Sequence, residues 1–165
     1  MPFAGKAYLA SEDIKDGISR LMDAVNVDID KAIEYYQKAT DLNYSAAMYN
    51  LGLIYENNID YHDDLKAIEY YQAAIEYNDA RAMYRMALYL DEGRVIKRDH
   101  QKAFNYIQAS AKQAYSPALN MYGIYLENGL AGNKDMEEAY RCFLKASRAG
   151  YAPAVYNLEN VIFMG

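Results

Sequence analysis

Asp28-x-x-Lys31-Ala32, Asp63-x-x-Lys66-Ala67, Asp99-x-x-Lys102-Ala103 and Asp135-x-x-Glu138-Ala139 are four versions of one phrase, set at steps of 35, 36 and 36 residues. A period this regular marks a solenoid, in which each unit hides its apolar face against the next copy of itself. An aspartate directly before a helix accepts hydrogen bonds from the free first-turn amides, and its charge suits the positive end of the helix dipole. Each phrase therefore predicts the start of a helix. Asp135 and Glu138 also have capping-box spacing.

Working outward from the phrase, small residues recur at the alanine after the lysine and again seven positions on, at Ala39, Ala74, Ser110 and Ala146. Two turns apart, they share one side of the helix and permit close helix approach. Bulky pairs lie between them: Tyr35/Tyr36, Tyr70/Tyr71, Tyr106/Ile107 and Cys142/Phe143. These helices are expected to stop near Asn43, Asn78, Ala114 and Gly150. Asn and Gly suit the left-handed conformation that commonly ends a helix, and Ala114 does not. A second kind of helix is expected to begin at Ala47, Ala82, Ala118 and Ala154. Pro117 and Pro153 fall in or beside its first turn, where proline is tolerated. Its repeated phrase is Ala47-x-x-x-Leu51-Gly52, Ala82-x-x-x-Met86-Ala87 and Ala118-x-x-x-Tyr122-Gly123. Glycine inside a helix costs about 1 kcal/mol relative to alanine. Its recurrence predicts another helix pressing close at that point. No strand-period run competes, so the reading is all-α: antiparallel helix pairs joined by short turns.

The chain of 165 residues divides in this reading into an N-terminal cap with a degenerate first repeat (1–46), clear repeats at 47–81, 82–117 and 118–153, and a C-terminal half-repeat (154–165). Within residues 1–27, Phe3, Ala7, Ala10, Ile14, Ile18, Leu21 and Val25 step by three or four, which predicts a capping helix. At the other end, Tyr156, Leu158, Val161, Ile162, Phe163 and Met164 make an apolar last helix. Glu159 stands there at the place held by Gly52, Ala87 and Gly123, as expected of a true end cap. Self-association through this helix is the competing expectation.

An apolar content of 53% supplies a continuous core, and a net charge of −6 with no basic run makes nucleic acid and anionic membranes poor partners. No apolar run is long enough to span a membrane, and the first residues lack the pattern of a signal peptide. A cytoplasmic location is expected, with a processed periplasmic or secreted form as the alternative. The single cysteine, Cys142, precludes an intramolecular disulfide framework.

With those phrases in place, the chain resembles the Sel1-like repeat family, relatives of the tetratricopeptide repeats. The family pattern is Ala-x-x-x-Leu-Gly-x-x-Tyr-x-x-Gly, a loop, then Asp-x-x-Lys-Ala-x-x-Tyr-Tyr-x-x-Ala-Ala-x-x-Gly. The likeness covers roughly residues 12–165. Tyr55 fills the signature tyrosine place, whereas Leu90 and Leu126 stand there later, with Tyr89 and Tyr125 one residue earlier. The cysteine pairs of some secreted members are missing. The resemblance implies a right-handed α-solenoid serving as a protein–protein interaction adaptor or scaffold; the residues themselves lead to the expectation of a non-enzymatic chain without cofactor or metal. It also brings two alternatives. Small bacterial members include immunity proteins that neutralise a toxin by direct binding, and some members are described as binding or hydrolysing β-lactams.

Chemistry is sparse. No serine has a lysine three residues on, and no glycine-rich phosphate loop is present. Cys142 takes a bulky repeat position held elsewhere by Tyr35, Tyr70 and Tyr106, so its expected role is structural. His62 and His100 flank the helix caps Asp63 and Asp99, and two histidines with scattered carboxylates make a weak metal case.

Binding offers more. In the tetratricopeptide relatives, certain first-helix positions face an inner groove. Transferred by spacing, they are Tyr49, Leu53 and Glu56; Tyr84, Leu88 and Asp91; and Asn120, Ile124 and Glu127. Tyrosine or asparagine, then a large aliphatic, then an acid recur across three copies. Such a surface suits a peptide or protein partner carrying basic residues. The competing expectation is that tyrosine and leucine at helical spacing are core.

Overall fold

The computed structural model describes residue 20, residues 28–130 and residues 132–164. The capping helix expected within residues 1–27 lies outside the described residues. Among residues 28–164, eight helices are described: α1 (residues 28–40), α2 (Ser45–Asn57), α3 (Asp64–Glu76), α4 (Ala80–Glu92), α5 (His100–Lys112), α6 (Ser116–Asn128), α7 (Met136–Arg148) and α8 (Ala152–Met164). Among the described residues there is no strand. From α2 to α8, each helix packs on its successor, which is the connectivity of an α-solenoid.

The aspartate phrases do what their chemistry predicts. Asp63, Asp99 and Asp135 are N-caps whose carboxylates accept from the amides of Lys66 (3.1 Å), Lys102 (2.9 Å) and Glu138 (3.0 Å). Asp28 differs, because residue 28 is already helical. The helices that follow those phrases stop where expected, and all four stops are left-handed: Asn43 (φ 64°), Asn78 (φ 61°), Ala114 (φ 60°) and Gly150 (φ 84°). Ala114 thus adopts the turn that its side chain disfavours. What holds it there is the same pair of hydrogen bonds found at its counterparts. The Tyr115 amide reaches the Ser110 carbonyl (3.4 Å) and the Ala114 amide reaches Ala111 (2.9 Å), as Tyr151 reaches Ala146 (3.1 Å) and Gly150 reaches Ser147 (2.9 Å). The pattern satisfies carbonyls that a helix end otherwise leaves free.

This turn is so short that the next helix starts earlier than expected. Helices α2, α4, α6 and α8 begin at Ser45, Ala80, Ser116 and Ala152, two residues before the recurring alanines. Those alanines are instead core residues of the first turn: Ala47, Ala82, Ala118 and Ala154 are at most 5% exposed.

The recurring small residue is a contact point. A Cβ added to Gly52 would lie 2.5 Å from the Tyr71 ring, and one on Gly123 would lie 2.6 Å from the Phe143 ring. In the repeat between them, Ala87 and Ile107 take the equivalent places, both buried in the same core cluster. The smaller partner leaves room for one methyl.

At the far end, Glu159 is exposed, and so are Val155, Tyr156, Ile162 and Phe163 on α8. No helix among the described residues is long and apolar enough to cross a membrane.

Candidate functional site

Tyr115 and Tyr151, the residues before α6 and α8, lie beside Tyr49 of α2 and Tyr84 of α4, nearly two repeats back. Burial raises Tyr115, as does the nearby Tyr49 hydroxyl, and burial with the Tyr151 hydroxyl pushes Tyr84 up to about 12. The helices α2, α4, α6 and α8 share the side on which these tyrosines meet, the side expected to be the inner face, and α3, α5 and α7 alternate with them on the other.

Near the N-terminal ends of these helices, aromatic and cationic groups come together. The Arg81 guanidinium lies 4.4 Å over the Tyr49 ring and donates to Asp79 through Nε (3.1 Å) and Nη2 (2.6 Å). The Tyr84 and Tyr115 rings meet edge-on at 5.7 Å. Arg85 donates to Glu56 at 3.4 Å, and its Nε is buried without a hydrogen-bond partner among the described residues. Further on, Asn157 of α8 donates to Asn120 of α6 at 2.8 Å.

The nine residues expected on the inner face divide three ways. Tyr49 and Asn120 are only 8% and 7% exposed, so they hold neighbouring helices together and show little surface. Leu53, Tyr84, Leu88 and Ile124 are half-buried, as are Glu56, Asp91 and Glu127. The acids are largely occupied. Glu56 accepts from the Tyr71 hydroxyl as well as from Arg85. Asp91 accepts from the Tyr125 hydroxyl at 2.7 Å and lies 2.6 Å from His100 Nδ1. Charge that the repeat pattern assigns to a partner is thus partly spent inside the fold.

The same contacts account for the displaced signature tyrosines. The Tyr89 hydroxyl donates to Asp64 at 2.6 Å, and the Tyr125 hydroxyl donates to an acid at a different repeat position, Asp91, at 2.7 Å. Tyr55 instead stacks on Tyr70, with centroids 5.6 Å apart and planes 5° from parallel.

Spacing from the Leu-Gly pair missed Arg81, Arg85, Tyr115 and Tyr151. The first two were within reach of helical periodicity, because residues 81, 84, 85 and 88 share one stripe of α4. The tyrosines were not, since their place depends on how tightly the solenoid curves. His62 Nδ1 sits 2.9 Å from the Glu56 carbonyl, and His100 is held by Asp91. Among the described residues, no three His, Cys, Asp or Glu side chains cluster as a metal site would need. Cys142 is buried, and burial pushes its thiol up to about 11. It is a neutral packing residue at ordinary pH.

Comparison with known proteins gives a consistent picture. The family model described as Sel1 repeat matches residues 17–44, 45–79, 80–115 and 116–151. Among solved structures, a Sel1 repeat protein from Oxalobacter formigenes is 29% identical, with a TM-score of 0.69 over 78% of this chain. The chain spans 53% of that protein's length. Helicobacter pylori cysteine rich protein B is 26% identical, with a TM-score of 0.63, and the match covers 79% of this chain and 95% of that one. A protective antigen of uropathogenic Escherichia coli with an SLR fold shares the fold at 24% identity and a TM-score of 0.69, over 78% of this chain and 28% of its own. A glutamate–tRNA ligase from Methanobrevibacter smithii is 93% identical over 30 residues, 18% of this chain and 5% of the ligase. A match confined to so small a part of the ligase carries no activity to this chain.

Proposed function

The chain belongs to the Sel1 repeat family, whose members are generally protein-interaction scaffolds, and on that premise we propose that it is a non-enzymatic adaptor binding a protein partner along its inner face. The observation that carries this reading is a row of half-buried apolar side chains. Leu53, Leu88 and Ile124 occupy the same place on three successive inner helices, with Tyr84 beside them. Peptide-binding grooves are built this way, with side-chain pockets repeated at the spacing of the scaffold.

The partner's chemistry follows from what the fold leaves free. Glu56 and Asp91 are engaged by Arg85, Tyr71, Tyr125 and His100, so Glu127 is the rim acid for which the fold supplies no such bond among the described residues. A basic partner is consequently held by apolar contact first and by charge second, and its affinity depends only weakly on salt. The exposed apolar side chains of α8 support a second contact, self-association through Tyr156, Ile162 and Phe163.

The test is to recover and identify the partner bound by the full chain, then measure its affinity for Tyr84→Ala/Leu88→Ala and, as a control, Tyr140→Ala on the outer layer. Loss of binding in the double variant, with melting near wild type, supports the reading. Binding lost only in Tyr140→Ala places the contact on the outer face instead. Should the double variant unfold, Leu88→Lys alone repeats the test at the centre of the row. Light scattering reports the α8 contact, which Phe163→Asp should abolish.

A further inference from the structure

The outer layer carries a cleft of about 420 Å³ between α5 and α7, floored by α6. Its origin is legible by shifting 36 residues back along the repeat. In the preceding interface, between α3 and α5, Tyr106 packs on the core and Gln113 donates across the gap to Asn78 at 3.3 Å. One repeat later, those three places are held by Cys142, Ala149 and Ala114, and Ile75 is matched by Ala111. Four side chains are shortened at one place. The space left has the size of a small-ligand site, typically about 300–1,000 Å³.

Its charge is the reverse of the chain's. Lys112 and Lys145 line the cleft and are exposed, whereas Glu138 beside them is bound by Arg141 at 3.2 Å. On a chain of net charge −6 this is a cationic spot over an apolar floor. What the repeat itself places there is an aromatic ring, Tyr106, and what the two ammonium groups add is attraction for a carboxylate.

We propose that this cleft is a second binding site, distinct from the inner face, for an aromatic side chain flanked by acidic residues in a polypeptide partner. The ring takes the volume that a repeat tyrosine fills elsewhere, and the flanking carboxylates meet Lys112 and Lys145. The thiol of Cys142 is a wall of the site and takes no chemical part.

The experiment is a methyl and amide NMR titration of the full chain with three capped tripeptides, Asp-Tyr-Asp, Asp-Ala-Asp and Lys-Tyr-Lys. Asp-Tyr-Asp should shift Ala111, Ala114 and Ala149 and bind at least tenfold more tightly than the other two. Cys142→Tyr, which restores the repeat's own ring, should abolish those shifts. Lys112→Glu/Lys145→Glu, on exposed positions, should weaken binding at least tenfold and serves if Cys142→Tyr does not fold. Equal affinity for the three peptides, shifts that map elsewhere, or undiminished binding in the variants would overturn the proposal. Free 4-hydroxyphenylacetate binding as tightly as Asp-Tyr-Asp would also overturn it, since the site would then serve a free aromatic acid.

Discussion

Gly123→Ala tests the close approach that recurs at Gly52 on Tyr71 and Gly123 on Phe143. The added Cβ would lie 2.6 Å from Phe143 Cε1 and 2.9 Å from both Cδ1 and Cζ. Phe143 is fully buried, so the ring has nowhere to swing. Overpacking costs about 1–3 kcal/mol, and contacts this short on a ring with nowhere to go place this case at about 2–3 kcal/mol. Against it stands the gain from replacing glycine inside a helix, about 1 kcal/mol. The net expectation is a loss of about 1–2 kcal/mol, or roughly 3–6 °C in Tm for a chain of this length. Phe143→Ile alone should also destabilise, by about 1–3 kcal/mol, through the void it opens. Combined, the two substitutions rebuild the Ala87/Ile107 arrangement of the preceding repeat. The double variant should therefore be more stable than the sum of the singles by about 1–2 kcal/mol, a coupling well above the few tenths expected of independent sites. Urea unfolding followed by circular dichroism, with unchanged m-values, reads all four species. Additive effects, or a Gly123→Ala protein as stable as wild type, would refute the contact.

Ala114→Gly relieves a left-handed alanine and should stabilise the chain by about 0.5–1 kcal/mol, since strain relief outweighs the added freedom of the unfolded chain; a lower urea midpoint would contradict this. Asp99→Ala removes the carboxylate that caps α5 and should cost about 1 kcal/mol in the same assay. Cys142, its thiol pushed up to about 11 by burial, should react with a disulfide reagent at pH 8 far more slowly in the native protein than in urea. Tyr84 titrates at about 12 when folded and at about 10 when unfolded, so its contribution is fully present below pH 10 and fades as pH rises through 12. Unfolding midpoints should accordingly be lower at pH 11 than at pH 9, and Tyr84→Phe should flatten that slope.

The fold was legible because it is written several times over. Four aspartates, four small residues and the tight contacts at Gly52 and Gly123 recur at one period, and each has a local cause that needs no knowledge of the rest. Helix starts were misplaced by two residues because Ala47 and its counterparts mark where the core begins, whereas the turn before them is set by backbone geometry that accepts Asn, Ala or Gly alike. The inner face was legible in outline only. Periodicity finds the stripe containing Tyr84 and Leu88, but it cannot tell that Tyr49 and Asn120 are sealed by neighbours. Nor can it show that Tyr71 and Tyr125 occupy the acids. Those facts depend on the angle between successive repeats, which no single repeat encodes. The outer cleft was half visible: Cys142 at a tyrosine position was plain, but that Ala111, Ala114 and Ala149 are trimmed around it emerges only when the helices are set side by side.

The pairing of Tyr49 with Tyr115, and of Tyr84 with Tyr151, changes what kind of chain this is when stressed. A linear array whose units touch only their immediate neighbours can fray from either end, one unit at a time. Here each unit meets its neighbour twice, once through packed helix faces and again through a tyrosine that reaches across the turn. A stronger bond between units, relative to what each unit contributes alone, makes the array melt more nearly as one. A single transition across the described repeats is therefore expected.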